Sequence, residues 1–162
     1  QGDGWPGFEI YVFDTGKRMQ VRGIVLSNSC DVSPDNKRDL PTRVTFAPLV
    51  KFESYKALLD NSNLSEDVVS AKLASIMAQK TTNMIYLPAG RLLDAAYLVR
   101  LDDVHSMPIG AFLKGKKLFT LSMVGFYLLV LKLSIHFCRL QENVDRYAEA
   151  KSDGILGAAP NS

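Results

Sequence analysis

Bulky and β-branched residues alternate from Phe8 to Phe13 (FEIYVF) as they do in a strand, and Asp14, Thr15 and Gly16 then signal a turn. Met19 to Ser27 (MQVRGIVLS) reads as a second strand, so the two predict a hairpin, entered through the irregular run Gly2, Gly4, Pro6 and Gly7. From Asn28 to Pro41 the residues turn polar and the pattern predicts a loop. Arg43 to Phe52 is a third strand whose Pro48 implies an edge position or a bulge. Two helices follow, Glu53 to Asp60 and Leu64 to Lys80. Ser65 stands where a cap belongs, and Val69, Leu73, Ile76 and Met77 share one face. Met84 to Leu87 and Ala96 to Leu101 are short apolar strands, and Asp102 to Lys117 returns to loop character. The last helix starts at Ser122 and runs through Arg139, with Phe126, Leu129, Val130, Leu133, Phe137 and Leu140 as its core face. Tyr127, Leu128, Leu131 and Ile135 widen that face, which implies deep burial or an oligomer interface.

This pattern predicts one α+β domain over residues 1–151, with a sheet of about five strands, a helical insertion at about 53–80 and a loosely held tail at 152–162. A chain of 162 residues that is 47% hydrophobic can build one sizeable core. Its net charge of +2 gives no broad pull toward nucleic acid or anionic membranes, so any phosphate binding has to be local. Cys30 and Cys138 lie far apart without the spacing of a disulfide framework, which points to a reducing, cytoplasmic setting. No apolar run of signal-peptide length stands at Gln1 to Gly7. Leu118 to Leu140 is broken by Lys132, His136 and Arg139 after roughly 14 apolar-dominated residues, short of the ~20 a bilayer needs, so no membrane partner is expected.

The most unusual local run is Ser27 to Asp31 (SNSCD) at the end of an apolar strand. A thiol there becomes a nucleophile if Arg22, His105 or His136 stabilises its thiolate; the plainer reading is a buried cysteine within an Asx or Ser turn. His136 and Cys138 are two apart on a helix and face different ways, and neither CxxC nor HxxxH spacing occurs, so no metal is expected. His105 reads as a solvated loop residue. Asp102 and Asp103 are neighbours, which would project to opposite faces of a strand and make a poor carboxylate pair. Lys37, Arg38 and Arg43 form one basic cluster, and Lys114, Lys116 and Lys117 another. No phosphate-cradling glycine motif, HExxH or GxSxG is present, so nothing anchors a nucleotide fold, a common hydrolase or a cofactor.

Two stretches taken in order, Val21 to Lys51 (VRGIVLSNS, a polar loop, VTFAPLVK) and Val99 to Phe137 (VRLDDVHSMPIGAFLKGKKLFTLS and the helix), resemble the MazF/PemK toxin endoribonuclease family. The resemblance covers a little under half the chain and implies a small SH3-like barrel. Arg22 is similar to the family arginine that stabilises the scissile phosphate, whereas Val50 stands where the family carries a hydroxyl. Arg22 from the resemblance, with Ser29, Cys30 and Asp31 from the SNSCD run, are the catalytic candidates. Lys37, Arg38, Arg43 and Tyr55, with Phe52, would meet single-stranded RNA. Two functions follow as expectations. One is a non-catalytic or weakly active module that binds RNA, a partner protein or an antitoxin in a toxin–antitoxin or defence system. The other is an endoribonuclease that cuts RNA through its 2′-hydroxyl. The resemblance and the broad apolar helix both point to a homodimer.

Overall fold

The computed structural model describes residues 1–33, 40–112 and 116–138. Its elements, in order, are β1 (Asp3–Val12), β2 (Lys17–Val25), α1 (Ser29–Val32), β3 (Arg43–Lys51), α2 (Phe52–Asp60) and α3 (Glu66–Met77). β4 (Met84–Leu87), β5 (Tyr97–Arg100), β6 (His105–Pro108), α4 (Ile109–Phe112), β7 (Phe119–Thr120) and α5 (Met123–Phe137) complete it. The strands form one antiparallel half-barrel sheet in the order β4-β5-β3-β2-β1-β7, with β6 also on β3. Seven strands among the described residues replace the expected five: β6 (HSMP) has no apolar run to mark it and β7 is two residues long. The predicted loop of Asp102 to Lys117 thus holds β6 and α4.

β3 is the central strand. One edge carries β2, and the other carries β6 as far as Phe46 and β5 from Leu49 onward, with the register offset by three residues between them. Pro48 falls in that gap, where no partner asks for its missing N–H, so of the two predicted alternatives the irregularity holds and the edge does not. β1 is bent in a similar way. Trp5 pairs with Gly23 and Phe8 with Val21, so Pro6 and Gly7 form a bulge, with Gly7 at φ 74°. The bulge turns Phe8 onto Phe46, ring centroids 4.0 Å apart, in a space only glycine leaves open: a Cβ on Gly23 would sit 2.6 Å from the Phe8 ring.

Three apolar clusters follow from the alternation along these strands. Ile24, Leu26, Ala47, Leu49, Val99 and Tyr97 lie on one face and meet Leu129 of α5. On the other face, Phe52, Leu98 and Met84 meet Leu59, Val69, Leu73 and Ile76 of the helical insertion, while Met77 is half-exposed. The third cluster joins Phe8, Val25, Val44, Phe46 and Met107, with Val32 and Phe112 against it. The predicted cap of α5 holds, since Ser122 Oγ accepts from Gly125 N; Ser65 precedes α3 without a side-chain bond. The expected core face of α5 is corrected: Leu129 is fully buried, Phe137 is exposed, and Leu140 lies outside the described residues, as does the predicted tail. The small curled sheet meets only one row of the helix, leaving Met123, Val124, Tyr127, Leu131, Ile135 and Phe137 to solvent. No described helix is long and apolar enough to cross a membrane.

The other buried residue of α5 is Lys132, 4% exposed, whose Nζ donates to Gln79 Oε1 and to the carbonyls of Thr81 and Met84. Gln79, at φ 60°, in turn bonds both backbone polar groups of Tyr86, so one ammonium ties α5 to the start of β4. Burial pushes the Lys132 pKa below its ordinary 10.5. Replacing Lys132 with Met orphans these acceptors and is expected to cost about 1–3 kcal/mol in denaturant unfolding. A lowered folded pKa means that the unfolded chain holds the proton more tightly. The lysine's own cost is therefore relieved as pH rises through the folded pKa toward 10.5, and the gap between wild type and Lys132→Met widens over that window.

Candidate functional site

The half-barrel is open along one seam. From Phe8 to Val12 β1 pairs with β2 alone, and β6 pairs with β3 alone, so among the described residues no ladder joins β1 to β6. A groove of about 550 Å³ occupies this seam, walled by Phe8, Glu9 and Gln20 on one side and Ser106, Met107 and Phe112 on the other. It runs on into a second hollow of about 360 Å³ that shares Glu9 and Ser106 and adds Tyr11, Arg18 and His105.

Strand alternation decides what the β1 wall presents. Glu9 stands opposite Gln20 and Tyr11 opposite Arg18, so these four side chains share the outer face of the hairpin while Phe8 and Ile10 face the core. Arg18 Nη1 reaches diagonally to Glu9 Oε1 at 3.1 Å. Tyr11 meets the 86%-exposed Phe13 edge to face at 4.9 Å, so two accessible rings sit near the hairpin tip on the face of Arg18, while Lys17 stands opposite Val12. On the opposite wall, His105 Nε2 lies 2.8 Å from Asp103 Oδ1, and its ring rests on Phe46 at 5.7 Å. Arg43 donates to the hydroxyl and the carbonyl oxygen of Ser106 at 2.9 and 2.8 Å.

The residues expected from sequence fall in different places. Arg22 points to the face of the sheet that carries Tyr97; its Nη1 donates to Asp94 Oδ1 and to Tyr97 Oη, both at 2.8 Å, and Tyr97 Oη donates to the same carboxylate oxygen at 2.9 Å. These bonds hold Asp94 below the ordinary carboxylate range, Tyr97 first and Arg22 second, and raise Arg22. Ser29, Cys30 and Asp31 lie on α1, which packs through Val32 on the opposite face, against Val25 and Phe46. From Arg22 to the end of β2 is already ~10 Å of extended chain. The structure therefore does not bring Arg22 to the SNSCD turn. Cys30 is exposed rather than buried, and the turn is the Asx type: Asn28 Oδ1 accepts from Cys30 N at 3.4 Å.

Of the expected RNA contacts, Arg43 borders the seam. Phe52 is buried in the insertion's core and Tyr55 is partly buried against it, and Lys37 and Arg38 lie outside the described residues. His105 is corrected from a solvated loop to a strand. The neighbouring aspartates take separate partners, Asp102 the Arg100 guanidinium and Asp103 the histidine. Among the described residues, no three His, Cys, Asp or Glu side chains gather as a metal site. Sequence reading passed over Glu9 and Arg18, although the period-two pattern that made β1 a strand already set Glu9 beside Tyr11. Nothing in the sequence linked either to His105, which is far away along the chain.

No protein-family model matches the chain, and no curated protein matches it. What stands from fold and site together is a mixed α+β protein with an antiparallel half-barrel sheet and a polar, aromatic-edged seam.

Arg22 is a latch on the segment around Asp94. Asp94→Ala is expected to speed amide hydrogen exchange over residues 90–97 and to leave the seam residues unchanged. Acid should weaken the same latch: a carboxylate held low contributes above its unfolded pKa and loses that contribution as pH falls through the folded value.

Proposed function

We propose that this chain is a binding module on a PemK-like, SH3-like half-barrel, and that single-stranded RNA lies along the seam between β1 and β6. The observation that carries this reading is the exposed pair Tyr11 and Phe13 beside Arg18, at the mouth of a groove bordered by Arg43. Proteins that hold unpaired strands combine a cationic track with rings on which bases stack, at ~1–3 kcal/mol per base. A net charge of only +2 suits a short, local track. Family-type cleavage gets no support from Arg22, which is committed to Asp94 and Tyr97, or from Val50, which has no hydroxyl. A place in a toxin–antitoxin or defence system rests on the resemblance alone.

In a fluorescence-anisotropy titration with a mixed single-stranded RNA, Tyr11→Ala with Phe13→Ala is expected to weaken binding on the order of tenfold or more, whereas Arg22→Ala leaves it unchanged. Contacts from Arg18 and Arg43 give a log–log salt slope of about −1.4. A flat salt response, or binding indifferent to both rings, sinks the reading.

A second surface favours a second copy of this chain. The exposed face of α5 carries Met123, Val124, Tyr127, Leu131, Ile135 and Phe137, and the only Asp, Glu, Lys or Arg of the helix, Lys132, is turned inward. A face with no charge to complement is self-complementary as it stands, which suits a two-fold interface. Light scattering is expected to give a dimer for the wild type and a monomer for Leu131→Glu, with RNA affinity per chain retained.

A further inference from the structure

We infer that the groove is a reading pocket for one unstacked guanine of the bound strand, with Glu9 and Gln20 on the Watson–Crick edge of the base and Ser106 on the facing wall. This rests on the seam being the RNA site. Strand alternation sets all three on the outer side of the sheet. Glu9 and Gln20 stand directly opposite each other on the β1–β2 hairpin, and Ser106 shares its face of the β3–β6 pair with Thr45 and Arg43, away from the buried Met107. All three line the groove of about 550 Å³, together with the rings of Phe8 and Phe112. That volume suits a small flat ligand. Phe112 is half-buried and braced by Trp5 at 4.6 Å and Phe8 at 5.8 Å, so a heterocycle entering the groove meets an apolar surface that is already fixed.

The choice of base follows from the hydrogen-bonding capacity each wall has left. Arg18 Nη1 holds Glu9 Oε1 at 3.1 Å, which orients an acceptor-only carboxylate that still has lone pairs on both oxygens. The Gln20 amide has no hydrogen-bond partner among the described residues and lies over Gly7, where a Cβ would stand 3.7 Å from Oε1. Ser106 Oγ accepts from Arg43 Nε at 2.9 Å, so its own proton is free to donate into the groove. One wall therefore offers a carboxylate beside an amide, and the other a hydroxyl. Guanine alone among the four bases carries two adjacent donors, N1–H and N2–H, on its Watson–Crick edge, with the acceptor O6 next to them. The two donors bond to Glu9, O6 accepts from Gln20 Nε2, and N7 accepts from Ser106. Adenine would set the lone pair of its N1 against the carboxylate. Cytosine and uracil also bring acceptors there, and they have no N7 to reach Ser106. A polar site rejects such mismatches because its own groups are left unpaired.

The test is an anisotropy titration of the full chain with oligouridine RNAs that differ at one central position. Guanosine there is expected to bind roughly 10- to 100-fold tighter than adenosine, cytidine or uridine. Inosine, which lacks only the N2 amine, is expected to lose part of that advantage. Glu9→Gln binds the guanosine and adenosine RNAs alike and still binds plain oligouridine, because Tyr11 and Phe13 are untouched. Gln20→Ala, also on the exposed face of the hairpin, narrows the preference and tests the pocket independently should the Glu9 variant loosen the fold. Equal affinity for the four RNAs, a preference for another base, or a guanosine preference that survives Glu9→Gln overturns the guanine pocket and spares the binding reading. Failure to bind any of the RNAs sinks both.

Discussion

Phe46 sits at the middle of a column of three rings, with Phe8 of β1 at 4.0 Å and His105 of β6 at 5.7 Å. Among the described residues no hydrogen-bonded ladder joins β1 to β6; the two walls of the seam meet through side chains, this column together with Phe112 against Trp5 and Phe8. The column exists because two backbone features make room for it. The Pro6–Gly7 bulge swings Phe8 inward, and Gly23 opposite has no Cβ to obstruct the ring. Had β1 run straight, its pairing phase would have shifted by one residue, and Phe8 and Glu9 would have exchanged faces. The apolar column and the polar groove wall above it are thus two results of one bulge.

The same logic of one face at a time organises the rest. β3 serves two partners along a single edge, and the break between them is tolerated because Pro48 falls where no N–H is required. Its two faces feed separate clusters, one closed by the helical insertion and the other by α5. α5 is held by Leu129 in the core and by Lys132, a buried ammonium with neutral acceptors that reaches across to Gln79, Thr81 and Met84. That contact defines which row of a nearly all-apolar helix faces inward, and so which row is left outside.

Most of the elements were legible in the chain, since alternation and 3.6-residue periodicity are local signals: β2, β3, β4, β5, the insertion helices and the capped start of α5 were read within a few residues of their ends, and β1 in its second half, its first half having been read as an irregular entry. β6 and β7 were not, because His105–Pro108 (HSMP) has no run of apolar or β-branched residues and β7 is only two residues long. The candidate site was legible only in part. Arg43 fell beside the groove, while of the two rings chosen for stacking Phe52 is core and Tyr55 is partly buried against it, because nothing local shows which side of a two-helix insertion will be covered. Arg22 was singled out as a cation at a strand position, yet its partner Asp94 lies 72 residues away.

By itself, then, the order of residues determined where the chain is extended, where it is helical, where it turns, and which side chains share a face within each element. Those properties depend on neighbours a few bonds apart. The tertiary structure decided that Arg22 is a latch, that Cys30 is exposed on the far side of the sheet from it, and that Glu9, Arg18 and His105 share a hollow. These are consequences of strand pairing across loops of very different length, where the energy lies in burying Phe8, Phe46 and Met107 together and no short-range pattern records the outcome.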